Sequence, residues 1–210
     1  MPELAPGVEA LVRLAAALAT REPAHVERAL RRAASEADAS AVDEVLLQAH
    51  LFVGFPDALE AMRRWRELSA RAAPAAVAGD DAAWPARGER VCAAVYGDHY
   101  DKLRAHVVAL HPDLDAWMVG GGYGRVLGRP ALDLATRELC NVALLAVWRA
   151  PRQLHSHLWG ALNVGAPVAA VARALQVAAE FQDAASAAAV QALWREVRTR
   201  AAARALTATL

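Results

Sequence analysis

From Asn141 to Val147 only the first residue is polar, so a helix through this run has almost no face to give to water. A helix apolar all round lies in the middle of a domain or an assembly, and this segment therefore sets the centre about which the chain folds. Arg137 and Glu138 stand just ahead of it. A carboxylate enters a dry region, which is where a pKa can be moved for chemistry. Pro151 breaks the apolar helix. A second helix carrying His155 and His157 follows, closed by Asn163 to Pro167, and then a third. Folding back at Pro151 makes the first two antiparallel, so Glu138 and His157 can face each other across the hairpin. A Glu that accepts the ring N–H fixes the tautomer and leaves the other nitrogen as a proton acceptor. The plainer reading of the same pair is an inert hydrogen bond holding two helices together.

At 210 residues the chain is one large domain or two small ones, long enough to bury a proper core. It is 56% hydrophobic and rich in Ala, Leu and Val, so helix dominates. Lys+Arg and Asp+Glu are both 23, which leaves no basic footprint for nucleic acid and little charge repulsion against self-association. Cys92 and Cys140 are far apart and form no CxxC, which reads as cytoplasmic. The N-terminal segment has an early acidic residue and no basic n-region, so no signal peptide is expected. The apolar runs break before the ~18 residues of a membrane span. No membrane partner is expected.

Along the chain, residues 7–20 form an amphipathic helix, Pro23 opens a second, and Ser40 is placed to cap a third that Gly54 ends. Pro56 opens a fourth. Pro74, Gly79 and Pro85 mark a linker, giving an N-terminal unit (1–71), a linker (72–88) and a C-terminal unit (89–210). A helix is expected from about Glu89 to Leu110, and a short one from Pro112 that Gly120-Gly121-Gly122 stops. Tyr123–Pro130 reads as an extended, turn-rich lead, and 184–205 as a final Arg-bearing helix. The chain repeats itself: REPAHVERAL (21–30) matches QLHSHLWGAL (153–162), aligning His25 with His157, and 41–65 parallels 168–194, ending in Trp65 and Trp194. The first copy has Pro6 where Glu138 would fall, so the chemistry is expected in the second.

Arg137-Glu138-Leu139 with the run after it, Gln153-Leu154-His155-Ser156-His157, Gly160-Ala161-Leu162-Asn163 and the Gly165 break give the stretch 123–180 a family likeness. It resembles the carboxymuconolactone decarboxylase family, which also contains the alkylhydroperoxidase D-like proteins. The peroxidase branch carries Glu-x11-Cys-x2-Cys-x3-His. Laid on this sequence, the Glu is Glu138, the His is His157, and the two cysteine positions fall on Ala150 and Gln153. The resemblance implies an all-α bundle of the alkylhydroperoxidase D-like type, oligomeric, with a trimer favoured for a two-unit chain. It implies a carboxy-lyase-like enzyme in which His157, assisted by Glu138, shuttles protons while a lactone acid loses carbon dioxide. Two other readings stand beside it. One is a non-enzymatic or ligand-binding scaffold; the other is a peroxidase-like antioxidant protein, which needs a nucleophilic thiol that Ala150 and Gln153 do not supply.

Arg129, Arg137 and Arg152, with Arg125, surround the helix entries and offer the fork-shaped partner that an organic acid substrate needs. The plainer reading makes them surface arginines paired with Asp133 and Glu138. Tyr123 and Trp159 are candidate walls of a small apolar pocket, or simply core. His155 lies about 200° round the helix from His157, so it is expected to face a neighbouring subunit or solvent. No metal or other cofactor is called for: no further ligand stands at metal spacing nearby. GGGYG (120–124) lacks the strand and the Lys-Ser/Thr of a phosphate loop and reads as a hinge or turn.

Overall fold

The computed structural model describes residues 4–75 and 81–207, and among these the chain is all-α, with no strand. Helix α1 (Pro6–Thr20) turns through the left-handed Arg21 into α2 (Pro23–Glu36), each with Pro in its first turn. There the missing N–H had no partner to lose. Helix α3 (Ala39–Ser69) is capped by Asp38, whose carboxylate accepts from Ser40 N at 2.7 Å and Ser40 Oγ at 2.6 Å. The expected cap, Ser40, is therefore the donor. An ionised acceptor before the first turn outcompetes a hydroxyl inside it. Gly54 (φ 81°, ψ 172°) splits α3 into two halves, as Gly54 and Pro56 led one to expect. That positive φ favours glycine.

The C-terminal half comprises α7 (Leu134–Val147), α8 (Pro151–Asn163), α9 (Val168–Ala179) and α10 (Ala184–Thr207). Every residue of α7 from Thr136 to Ala146 is buried. α1 packs on α7 at the centre, α2 and α3 flank α1, and α8 and α9 flank α7. A single core runs through both halves, from Ala10 to Val197. The cover demanded by the all-apolar helix comes from this same chain, so burial of α7 alone does not call for an assembly.

Between the halves the structure departs from expectation. Residues 76–80 of the expected linker lie outside the described residues. Helix α4 (Trp84–Tyr96) begins before Glu89, and the expected single helix is broken at Gly97 (φ 52°) before α5 (Tyr100–Leu110). After α6 (Pro112–Ala116) the glycines do not stop the helix. Trp117–Leu127 continues as a π-helix, so Tyr123–Leu127 is helical rather than extended, and 120–124 is no hinge. The reason is tertiary, since packing overrides weak local propensity. A Cβ on Gly88 would sit 1.9 Å from Val119 O, and one on Gly124 would sit 2.1 Å from Trp84 O. α4 and the π-helix thus meet backbone to backbone, and their seam encloses a second small core of Cys92, Val95, Tyr123 and Leu127.

Candidate functional site

Asp133 caps α7, accepting from Thr136 N at 2.8 Å and Thr136 Oγ1 at 2.7 Å, which sets the register of the helix. Glu138 then projects toward the middle of α8. Its Oε2 lies 2.7 Å from His157 Nδ1; Glu138 is 0% exposed and His157 6%. An ionised carboxylate only accepts, so in this bond Nδ1 carries the proton and Nε2 is left free. The second carboxylate oxygen, Oε1, accepts from Asn141 Nδ2 at 3.1 Å. The edge of the Phe52 ring closes on the imidazole, centroids 6.1 Å apart.

Behind Glu138 the network continues into the other half of the chain. Gln48 Nε2 donates to Asn141 Oδ1 (3.0 Å) and to Arg137 O (3.2 Å). Arg137 donates to Gln48 Oε1 (3.1 Å), Glu44 Oε2 (2.8 Å), Arg129 O (3.0 Å) and Leu132 O (3.2 Å). Arg129 Nε reaches both oxygens of Glu44 at 2.9 Å. A buried chain therefore runs His157–Glu138–Asn141–Gln48–Arg137–Glu44 across α8, α7 and α3. Buried charges persist when paired and hydrogen-bonded in this way.

Two residues of the 160–163 motif earn their places here. A Cβ on Gly160 would stand 2.7 Å from both Glu138 Oε2 and Val95 Cγ1, so only a glycine lets the carboxylate lie against α8. Asn163 Nδ2 donates to Val95 O at 2.8 Å and ties the end of α8 to α4. On the α4 side, Tyr96 and Tyr123 pack edge to face with centroids 6.1 Å apart. Burial pushes the Tyr96 phenol up to about 12 against the hydrogen bond from Tyr123, and burial drives Tyr123 well above its ordinary value.

The sequence candidates distribute as follows. Glu138 and His157 are brought together, with Tyr123 buried close enough for the Glu138 charge to act on it. Trp159 is half-buried, with the Arg204 guanidinium 5.2 Å over its ring. Arg137 is fully buried and pairs with Glu44 rather than Glu138, Arg129 is half-buried on the same Glu44, and Arg152 is exposed. His155 is half-buried and lines a cleft with His99 and His106. Glu44, Gln48 and Asn141 were not singled out as site residues. Their signal is spacing: Glu44 and Gln48 are four apart in an apolar stretch, and Asn141 is three from Glu138 and four from Arg137, which puts each set on one helix face.

Both thiols lie out of reach of this chemistry. Cys92 and Cys140 are 0% exposed, and burial pushes each up to about 12. At neutral pH neither is a thiolate, and the thiolate is the nucleophile. The native protein is expected to give no reaction with a thiol-specific chromogenic disulfide, both thiols appearing only on unfolding. It should reduce no hydroperoxide with a dithiol donor; turnover abolished by the paired Cys92→Ser and Cys140→Ser changes would contradict this.

Searches against curated proteins and solved structures find no match to the chain. Over residues 112–196, which hold both Glu138 and His157, the chain is a match to the Carboxymuconolactone decarboxylase family.

Proposed function

We propose that Glu138 and His157 are the acid/base pair of a small-molecule carboxy-lyase resembling the decarboxylase branch, acting on a lactone acid. The observation that carries this reading is the 2.7 Å bond from His157 Nδ1 to a buried carboxylate whose other oxygen is held by Asn141. The substrate's C–C bond to its carboxylate breaks, carbon dioxide leaves, and the electron pair passes into a neighbouring carbonyl as an enolate. His157 takes a proton from water at Nε2 and gives it to the carbon end of the enolate. Glu138 steadies the imidazolium and holds the ring's orientation. The test is release of carbon dioxide from carboxymuconolactone by the wild-type protein and by a His157→Gln variant.

A scaffold that keeps the family frame without its reaction has an observation of its own. The side chains of the pair are 8% and 0% exposed, so a substrate reaches His157 only if a neighbour moves. A peroxidase reading is disfavoured by Ala150, Gln153 and the two buried thiols. The reaction needs no cofactor: the substrate's own carbonyl takes the electron pair.

The chain is further proposed to be two related units of the alkylhydroperoxidase D-like type. α1, α2 and the two halves of α3 follow the same order as α7, α8, α9 and α10, with the Gly54 break standing where α9 gives way to α10. His25 meets Phe181 edge-on (5.4 Å, 74°), and His157 meets Phe52 edge-on (6.1 Å, 74°). Each histidine thus touches a Phe near the end of the other unit's third helix, the exchange an approximate twofold produces. In the first unit His25 Nδ1 bonds Thr20 Oγ1 at 3.2 Å, so no carboxylate backs that ring.

The protein is proposed to be a cytoplasmic homo-oligomer, a trimer. Among the described residues no helix is long and apolar enough to cross a membrane. Leu47, Leu51, Phe55 and Leu59 are exposed along α3, Phe55 at 66% and Leu59 at 65%. An apolar stripe of this kind marks an interaction surface. Sedimentation equilibrium is expected to give a trimer, dissociated by Phe55→Glu with Leu59→Glu; a stable wild-type monomer would contradict it.

A further inference from the structure

A cleft of about 300 Å³ opens between α5 and α8, with Val95, Lys102, His106, His155, Ser156 and Trp159 among its walls. That is the lower end of the range that small-molecule pockets occupy. Its composition is one-sided. His99, which immediately precedes α5, and Lys102, Leu103 and His106 on it fall at helical spacing on a single face, and on α8 His155 and Trp159 stand four apart. Lys102 and three imidazoles line it and no carboxylate does. Two acids of this region are held by arginines: Asp98 accepts from Arg204 at 2.6 Å, and Asp115 from Arg104 at 2.5 and 2.7 Å. Apart from Ser156, the remaining walls are apolar or aromatic. The three histidines are not a metal site: among the described residues no group of His, Cys, Asp and Glu is gathered to hold one.

The cleft adjoins the pair described above through Val95. Val95 lines the cleft, and its Cγ1 and Glu138 Oε2 both crowd the position a Gly160 Cβ would take. The cleft therefore lies one residue layer from Glu138. His99, Lys102 and His106 precede residues 112–196, so the family match assigns them nothing. We propose that this cleft binds a flat organic anion, its carboxylate held by the Lys102–His106 stripe and its apolar body against Trp159. Its role as the substrate's entry to His157 rests on the decarboxylase reading; its selectivity for anions does not.

Benzoate and its neutral isostere benzamide, titrated calorimetrically into the full-length protein at low ionic strength, test this. Benzoate is expected to bind roughly tenfold or more tighter than benzamide, the scale of one charge-assisted hydrogen bond. Lys102→Ala, at an exposed position, should erase that preference while the circular dichroism spectrum stays unchanged. Trp159→Ala should weaken both ligands. Equal binding of the two probes, no binding of benzoate, or an unaltered preference in Lys102→Ala would overturn the inference. The readout is binding without turnover, so the two proposals can fail separately. A selective cleft beside an inert pair sinks only the reaction, and carbon dioxide release by a protein blind to benzoate sinks only the cleft.

Discussion

Replacing His157 with Gln is expected to lower the rate of carbon dioxide release by roughly 10²-fold or more, the usual scale of general acid–base catalysis. The amide keeps most of the ring's volume and can still donate to Glu138, but no nitrogen remains to titrate. Melting temperature and oligomeric state should change little. Glu138→Gln should give a similar loss by a different route. It removes the anion that stabilises the charged imidazole, and its amide can orient either way between Asn141 and His157. The two changes together should cost little more than one, because residues that work as a unit are non-additive. An inert hydrogen bond predicts the opposite pattern, with lower stability and no chemistry to lose. Initial rates and melting curves on the three variants separate the two.

Glu44→Ala is expected to be among the most destabilising single changes in the chain. It strips the anion from Arg137, whose side chain is 0% exposed, and from Arg129. Removing one partner of a buried pair leaves an uncompensated charge and costs about 3–5 kcal/mol. For a domain of this size that corresponds to a melting temperature lower by on the order of ten degrees. Glu180→Ala is the control: its carboxylate pairs with Arg13 but is 50% exposed, and solvent screening holds such a pair to about 1 kcal/mol or less. Because Gln48 and Asn141 connect Glu44 to Glu138, Glu44→Ala should also lower turnover where the fold survives. Equal, small effects of the two substitutions in thermal melts would contradict a buried network.

The helices of both halves could be read from the chain because their apolar periodicity and their prolines agree with the final packing. Pro6, Pro23 and Pro151 each open a helix, and Gly54 breaks one. The Glu138–His157 contact was legible for a related reason: two helices joined by a short turn at Pro151 have little freedom in how they face. Gln48 and Glu44 reach α7 from 89 and 93 residues away, and no local pattern reports such a partner. The π-helix was missed because three consecutive glycines weaken a helix in isolation. What holds it is the seam with α4, where Gly88 and Gly124 let two backbones touch, and that is a property of the pair of segments. The burial of Arg137 is not legible locally, because its charge argues for solvent until the buried carboxylate of Glu44 is known.

The central step proposed is transfer of a proton from His157 to the carbon end of the enolate left when carbon dioxide departs. Its most direct measurement is the decarboxylation of carboxymuconolactone in deuterium oxide, with the product's deuterium located by NMR. Delivery from a fixed imidazole predicts one deuterium at that carbon on a single face, with His157→Gln giving slow release and label on both faces. Wild-type product labelled on both faces, or a His157→Gln variant as fast and as selective as wild type, would contradict it.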